Sequence, residues 1–175
     1  MDKAALTKIS YGLYVIGVRD RDWFGGCVID AFAQVTLDPP RIIYSAEKKN
    51  RTTELISKEK EFTVSVLSSS VHPFVISNFG YQSARQTDKW KNVPSELFGE
   101  LPILADAAAC FRCRLIDERD IGTHMLFYCD LIDAVLSDRE PLVYADYQKR
   151  LKAAATKEFM EYKRTGKSPL SAPQA

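Results

Sequence analysis

The sequence predicts a mainly β protein, a small barrel or sandwich with a few helices at its rim. Two observations carry this. About seven short runs rich in β-branched and aromatic residues recur along the chain, separated by Gly, Pro and Asp turn signals. Only a few stretches show helical spacing. Period and turn signals alone leave barrel and sandwich both open.

The elements follow in order. Leu13 to Arg19 (LYVIGVR) reads as a strand. Trp23 to Gly26 (WFGG) reads as a turn, and CVIDAFAQVTL as the returning strand. Asp38-Pro39-Pro40 breaks that strand, because proline cannot donate to a ladder. Arg41 to Ala46 is a second apolar strand. Thr52 to Lys60 fits a short helix with Leu55 and Ile56 inward and Thr52 or Thr53 as N-cap. Glu61 to Ser68 alternates as a half-buried strand. Ser69 to Gly80 turns helical after Pro73 and stops at Gly80. Tyr81 to Glu100 is polar and loop-like, with a short helix around Thr87 to Lys91. Ala108 to Glu118, His124 to Val135 and Pro141 to Tyr144 complete the strands, the first two joined by a turn at Asp120 to Thr123. Ala145 to Tyr162 carries charges at helical i,i+4 spacing. The ending GKSPLSAPQA reads as an extended arm or linker stub. Residues 1–150 thus form the expected barrel domain, and 151–175 a C-terminal helix and tail.

Composition narrows the function. The 24 basic and 23 acidic residues nearly cancel, so no basic stripe for nucleic acid stands out. The N-terminus lacks the charged-then-apolar order of a signal peptide, and the apolar runs are too short to span a bilayer. A cytoplasmic protein is expected. Cys110 and Cys113 form a CxxC without the second pair of a zinc ribbon. On a strand, residues three apart point to opposite faces, so a structural role is expected for these thiols. No metal site is expected with only two histidines. Nucleotide-loop, nucleophile-elbow and zinc-protease motifs are all missing.

Three clusters concentrate polar chemistry. Ile29, Asp30, Ala31, Phe32, Ala33 and Gln34 mix small and polar residues near a strand end, where a flat ligand can approach the backbone. Ser45, Ala46, Lys48, Lys49, Asn50 and Thr52 lead into a helix start, a setting for anions. Tyr81 to Trp90 holds Ser83, Arg85, Asp88, Lys89 and Trp90, with Phe79 just before it. On pattern alone these are first of all a strand, a capped turn and a surface loop. His124 follows Gly122-Thr123 at a strand start and reads alone as a structural histidine. Trp23 and Phe24 are either a turn-tip pair or a stacking platform.

Taken in order, four segments resemble the flavin reductase-like family over roughly Ser10 to Arg150. GGCVIDAFAQVTLDPPRIIYSAEKKNRTTELI is similar to its small-residue strand, DPP break and Asn-x-Thr helix start. EFTVSVLS is similar to the next strand, FGYQSARQTDKW to its FG-x-x-S-x-R-x-x-DK[FW] loop, and GTHMLFYCDLIDAV to its Gly-Asp-His strand. Within that family the chain resembles flavoredoxin-like proteins and the flavin domain of high-molecular-weight rubredoxins. The resemblance implies an FMN-binding split barrel of Greek-key type, working as a homodimer. It implies FMN's ring and ribityl chain along Asp30 to Gln34 and its phosphate held by Ser45, Lys49, Asn50 and Thr52, with Ile29, Ala46 and Lys48 as further cofactor-binding residues. Ser83, Arg85 and Lys89 complete that clamp or reach in from near the subunit interface, Phe79, Asp88 and Trp90 are further cofactor-binding residues, and His124 lies near the redox face as the candidate catalytic residue. Asp30-Ala31 stand where the family usually has Asn-Ser, and Thr123 where it usually has Asp.

The implied activity is that of an NAD(P)H-dependent flavin reductase. The alternative is a flavoredoxin-type electron carrier with tightly bound FMN, serving a rubredoxin or diiron flavoprotein partner. A third class is a split barrel that binds haem or F420 instead.

Overall fold

The β-branched run at the start of the chain forms an antiparallel pair, β1 (Tyr14–Asp20) and β2 (Trp23–Ile29). The turn falls at Arg21-Asp22, where Arg21 takes a left-handed φ of 43°. WFGG is therefore the beginning of β2 and not the turn. Its glycines serve packing: a Cβ on Gly26 would lie 2.9 Å from the Phe79 ring and 3.0 Å from Trp90 Nε1. The protein is seen here in a computed structural model that describes residues 1–170.

The expected strand CVIDAFAQVTL is two strands in line, β2 and β3 (Phe32–Leu37), with a break at Asp30-Ala31. A turn at Asp38-Pro39 leads into β4 (Pro40–Glu47). Then come α1 (Arg51–Glu59), β5 (Glu61–Val66), α2 (Pro73–Gly80), β6 (Ser95–Phe98), β7 (Leu101–Leu104), β8 (Ala109–Asp120) and β9 (His124–Leu136). The order in the main sheet is β2-β1-β5-β8-β9-β4-β3, with every neighbouring pair antiparallel. Its two outermost strands, β2 and β3, are consecutive in sequence and run in the same sense. They are halves of one kinked strand, the first laced to β1 and the second to β4. The sheet must curl until its edges meet at the kink, which makes it a barrel with a split where no ladder joins β2 to β3.

Two cores result. Inside the curl pack Ile16, Ile42, Tyr44, Phe62, Val64, Leu115 and Phe127. Outside it, Val15, Leu67 and Cys110 pack under Val75, Ile76 and Phe79 of α2. Cys113 lies in the inner core and Cys110 in the outer one, so the CxxC thiols point to opposite faces. All four cysteines are buried and free, and burial pushes each thiol pKa up.

Several expectations change. Strand β5 is buried on both faces, because the unforeseen hairpin β6–β7 covers its outer side. Thr63 Oγ1 donates to Pro102 O at 2.5 Å, and Leu104 N donates to Ser65 Oγ at 3.0 Å. Polar residues are satisfied there by the hairpin backbone instead of by water. The segment Tyr81 to Glu100 is thus not loop throughout, and its short helix is a 3-10 turn at Trp90–Asn92. Pro141 to Tyr144 is no strand; Pro141 and Val143 make only isolated bridges to Ser68 and Gly12. The N-cap of α1 is Asn50, not Thr52 or Thr53.

The C-terminal helical stretch comprises α3 (Tyr144–Asp146), a π-helical turn (Tyr147–Leu151) and α4 (Lys152–Thr165). Helix α4 packs on α2 through a Phe74–Tyr162 ring contact at 5.2 Å, with Ala155 fully buried. Tyr162 Oη accepts from Asn92 Nδ2 at 3.1 Å, and Ser168 Oγ donates to Asn92 O at 2.5 Å. The beginning of the expected arm is therefore pinned down; its residues 171–175 lie outside the described residues. Among the described residues no helix is long and apolar enough to cross a membrane.

Candidate functional site

Strand β2 has a ladder partner on one side only. Its other edge exposes backbone groups that need partners. Two side chains from the 3-10 turn region bond to carbonyls of β2. Trp90 Nε1 donates to Gly25 O at 3.1 Å. Lys89 Nζ donates to Gly26 O at 3.0 Å and to Phe79 O at 2.9 Å. Lys89 is only 2% exposed, and its pKa is pushed down to about 8 by burial. An ammonium has three N–H donors, so one remains for something beyond the strand.

Beyond the strand is a cavity of about 400 Å³ between β2, the start of α1 and the turn after α2. Gly26, Cys27 and Val28 form one wall. Lys49, Asn50, Arg51 and Thr52 form the second, and Phe79 to Ala84 with Lys89 the third. The lining holds three cations and no carboxylate. Asn50 is the N-cap of α1, yet its side chain makes no capping bond. Thr53 N donates to Asn50 O at 3.1 Å, while the Arg51 and Thr52 amides keep donors for an outside group, at the positive end of the helix dipole. Free amides, hydroxyls and three cations, of which Arg51 is also paired behind the wall with Asp20 and Glu54, fit a phosphate group.

Six expected cofactor residues meet at this cavity: Lys49, Asn50, Thr52, Phe79, Ser83 and Lys89. The others lie around it. Ile29 to Gln34 continue the β2 wall through the kink into β3, and Ser45 N donates to Ala31 O at 2.9 Å. Ile29 and Phe32 pack against the inner core, with the Phe32 ring 4.9 Å from that of Tyr14. Asp30 and Ala31 make the kink, and Ala33 and Gln34 are exposed on β3. Ala46 is buried in the inner core. Lys48 is paired with Asp120 at 2.5 Å, and Arg85 with Glu54. Asp88 accepts from Trp90 N at 3.1 Å, which holds the turn that delivers Lys89. His124 opens β9 opposite Glu47, its Nδ1 2.8 Å from Thr123 Oγ1. It stands close to the approach to α1 but does not line the cavity.

Sequence reasoning missed Gly26, Cys27, Val28 and Gly80 in the lining, and it placed Arg51, Tyr81, Gln82 and Ala84 inside its polar clusters without naming them as cofactor contacts. Arg51 carried a signal, since it lies between two expected residues. Its guanidinium is locked by Asp20 through a fork, Nη2 to Oδ1 at 2.7 Å and Nε to Oδ2 at 3.1 Å. Asp20 raises the Arg51 pKa, so this cation is permanent.

The chain is 40% identical over 152 residues to the high molecular weight rubredoxin of Moorella thermoacetica, covering 85% of this chain and 66% of that one. It is 33% identical over 150 residues to a ferric-chelate reductase (NAD(P)H) of Archaeoglobus fulgidus, covering 84% of this chain and 89% of the relative. The solved flavin reductase PheA2 superposes with a TM-score of 0.71 at 28% identity, covering 82% of this chain and 93% of that one. Residues 6–152 match the model of the flavin reductase like domain, and the chain belongs to that family.

Proposed function

We infer that this chain is an FMN-binding oxidoreductase, an NAD(P)H-dependent flavin reductase. The observation that carries the reading is the carboxylate-free, three-cation cavity at the uncapped start of α1, continuous with the kinked β2–β3 strand. Its relatives named for NAD(P)H-dependent reduction support it. The chemistry supplied by bound FMN is acceptance of a hydride from reduced nicotinamide and delivery of electrons to an acceptor.

The protein's part is to bind and orient. Lys89, Ser83, Asn50, Thr52 and Lys49 hold the phosphate with the first-turn amides of α1. The backbone from Ile29 to Gln34 lies along the ring and the sugar chain, where unpaired edge groups of the kinked strand can bond the polar rim of a flavin. Ser45 and Ala46 back that strand from β4, and Lys48 keeps a second cation near the helix start. Phe79 closes the cavity floor, while Arg85, Asp88 and Trp90 hold the loop in place. His124 lies toward the redox face. No side chain need exchange a proton with substrate for hydride transfer.

The second reading, an electron carrier with tightly held FMN, is favoured by the similarity to a high molecular weight rubredoxin. In that reading a rubredoxin-like protein takes the electrons. Both readings take the chain as a homodimer. Strand β3 supports this, because it is an exposed sheet edge with Val35 and Leu37 uncovered, and such edges pair or are hidden. A reducing, cytoplasmic setting fits four free thiols.

The test is a visible spectrum followed by anaerobic NADH. A purified protein that carries or takes up FMN, and is bleached by NADH or NADPH, behaves as expected. Flavin that binds but stays oxidised favours the carrier. Failure to bind FMN at all refutes the reading.

A further inference from the structure

Charge is unevenly spread along the chain. Residues 144–168, the C-terminal helical stretch and the turn after it, carry seven cations and three acids, whereas acids outnumber cations in the rest of the protein. The three acids are occupied locally. Asp146 pairs with Arg150, Glu161 pairs with Arg164, and Glu158 faces His72 at 3.8 Å. Lys149, Lys152, Lys157, Lys163 and Lys167 are in no ion pair among the described residues.

Helix α4 turns one side to the protein and the other to solvent. Ala155, Phe159 and Tyr162 face α2 and Tyr81. The outward side has Met160 at its centre, 67% exposed. Its helix neighbours three and four residues away are Thr156, Lys157, Lys163 and Arg164, all exposed. An uncovered thioether ringed by cations has the layout of an interface, an apolar centre in a charged rim. Charge then chooses the occupant. A second copy of this face is repelled, and an acidic surface is drawn in. A membrane fits less well, because the other apolar side chains of α4 are spent on the protein and leave little to insert. The place matters too. Tyr81 lines the phosphate cavity, its ring is 5.6 Å from that of Phe159, and its hydroxyl is 3.4 Å from Thr156 Oγ1. The cationic face therefore lies across one helix, about 10 Å, from a wall of the flavin cavity.

We propose that the outer face of α4 is the docking surface for an acidic electron-transfer protein that receives the electrons of the bound flavin. This rests on the flavin reading above. Met160 seats against the partner. Lys157, Lys163 and Arg164, with Lys152 one turn further along, steer and hold its carboxylates. A one-electron iron protein takes one electron at each of two encounters. Two Fe(III) centres thus become Fe(II), while the flavin returns to its oxidised form and its protons pass to water.

The test uses oxidised rubredoxin, a small acidic iron protein, as the probe, and cytochrome c, a basic one, as its opposite. Calorimetry measures binding to the flavin-free chain. Absorbance follows reduction of the probe by the chain loaded with FMN and reduced anaerobically with dithionite. Both are read at low and high salt. Added salt should weaken rubredoxin binding and slow its reduction by about tenfold or more, and the triple variant Lys152→Gln/Lys157→Gln/Lys163→Gln should lose about as much at low salt. Met160→Asp should lose at least about fivefold in binding. FMN affinity and urea stability should stay unchanged in both variants, since all four side chains are exposed. Equal rubredoxin binding in the wild type and both variants overturns the docking face, as does equal binding of cytochrome c. Lysine-dependent capture of phosphatidylserine vesicles or duplex DNA, with rubredoxin indifferent to the lysines, reassigns the face and also overturns the proposal. Lysine-dependent rubredoxin binding without any FMN uptake refutes the flavin reading and leaves the docking face standing. FMN uptake without such binding refutes the face alone.

Discussion

Replacing Lys89 by methionine removes a buried ammonium while keeping the length of the side chain. In the wild type two of its three donors satisfy Gly26 O and Phe79 O, and the third serves the cavity. A hydrogen bond to a charged group contributes about 1.5–3 kcal/mol. Lys89→Met is therefore expected to weaken FMN by roughly ten- to hundred-fold. Burial adds a pH signature. The folded-state pKa is lowered from 10.5 to about 8, so the free protein loses this charge above pH 8. A bound phosphate favours the charged form and holds the proton to higher pH. The wild-type Kd for FMN should be flat below pH 8 and climb up to tenfold per pH unit above it. In Lys89→Met that climb should vanish.

Stability moves the other way. Between pH 8 and 10.5 the unfolded chain binds the extra proton, so the flavin-free protein gains stability as pH rises through that window. The shift of 2.5 units corresponds to about 3 kcal/mol. Below pH 8 the full cost of burying the charge is present. Flavin fluorescence titrations at pH 7 to 9.5, with urea melts of both flavin-free proteins, read both effects. A Kd equal in the two proteins, or the same pH slope in both, refutes the role given to Lys89.

Gly17→Ala places a Cβ 2.4 Å from Pro102 O and 2.5 Å from Thr63 Oγ1, so the hairpin must shift. A loss of about 1–3 kcal/mol is expected in urea unfolding, and unchanged stability would show that the hairpin is looser than described. The four cysteines should resist thiol reagents in the native protein and all react in denaturant, because burial keeps them protonated and covered. Rapid native labelling of Cys110 or Cys113 would contradict the structural role assigned to the CxxC.

Much of the barrel was legible because its strands are β-branched and aromatic runs bounded by turn residues. Pro40–Glu47 buries alternate side chains, Tyr14–Asp20 is an apolar run buried on both faces, and the helix at Pro73–Gly80 announces itself by its proline start. The hairpin Ser95–Leu104 was not, since its first strand is mostly exposed and its second is a four-residue apolar run. WFGG misled because paired glycines usually mark turns. Here Gly25 and Gly26 make room for Leu55, Phe79 and Trp90, a demand that comes from other elements. The site divides the same way. Hydroxyls and cations before a helix start are visible in a sequence, so Lys49, Asn50 and Thr52 were found. The β2 wall was not, because it becomes a cavity wall only when α2 and its following turn fold across its free edge. Lys89 was expected as a cation for phosphate, but nothing local announced that it would be buried against backbone carbonyls.

The kink at Asp30-Ala31 gives the barrel an unusual kind of joint. Six joins of the hoop are laced by backbone hydrogen bonds and can fray; the seventh is the chain itself and cannot. Of the laced joins, β1 to β5 is the shortest, with four paired positions. The β6–β7 hairpin sits across that join. Thr63 Oγ1 reaches both Gly17 O on β1 and Pro102 O on β7, riveting the two strands to their cover. The hoop is thus welded at one point and clamped near its weakest lacing, so the cavity wall on β2 is braced directly by the chain beyond Ile29 and, through β1, by the clamped join.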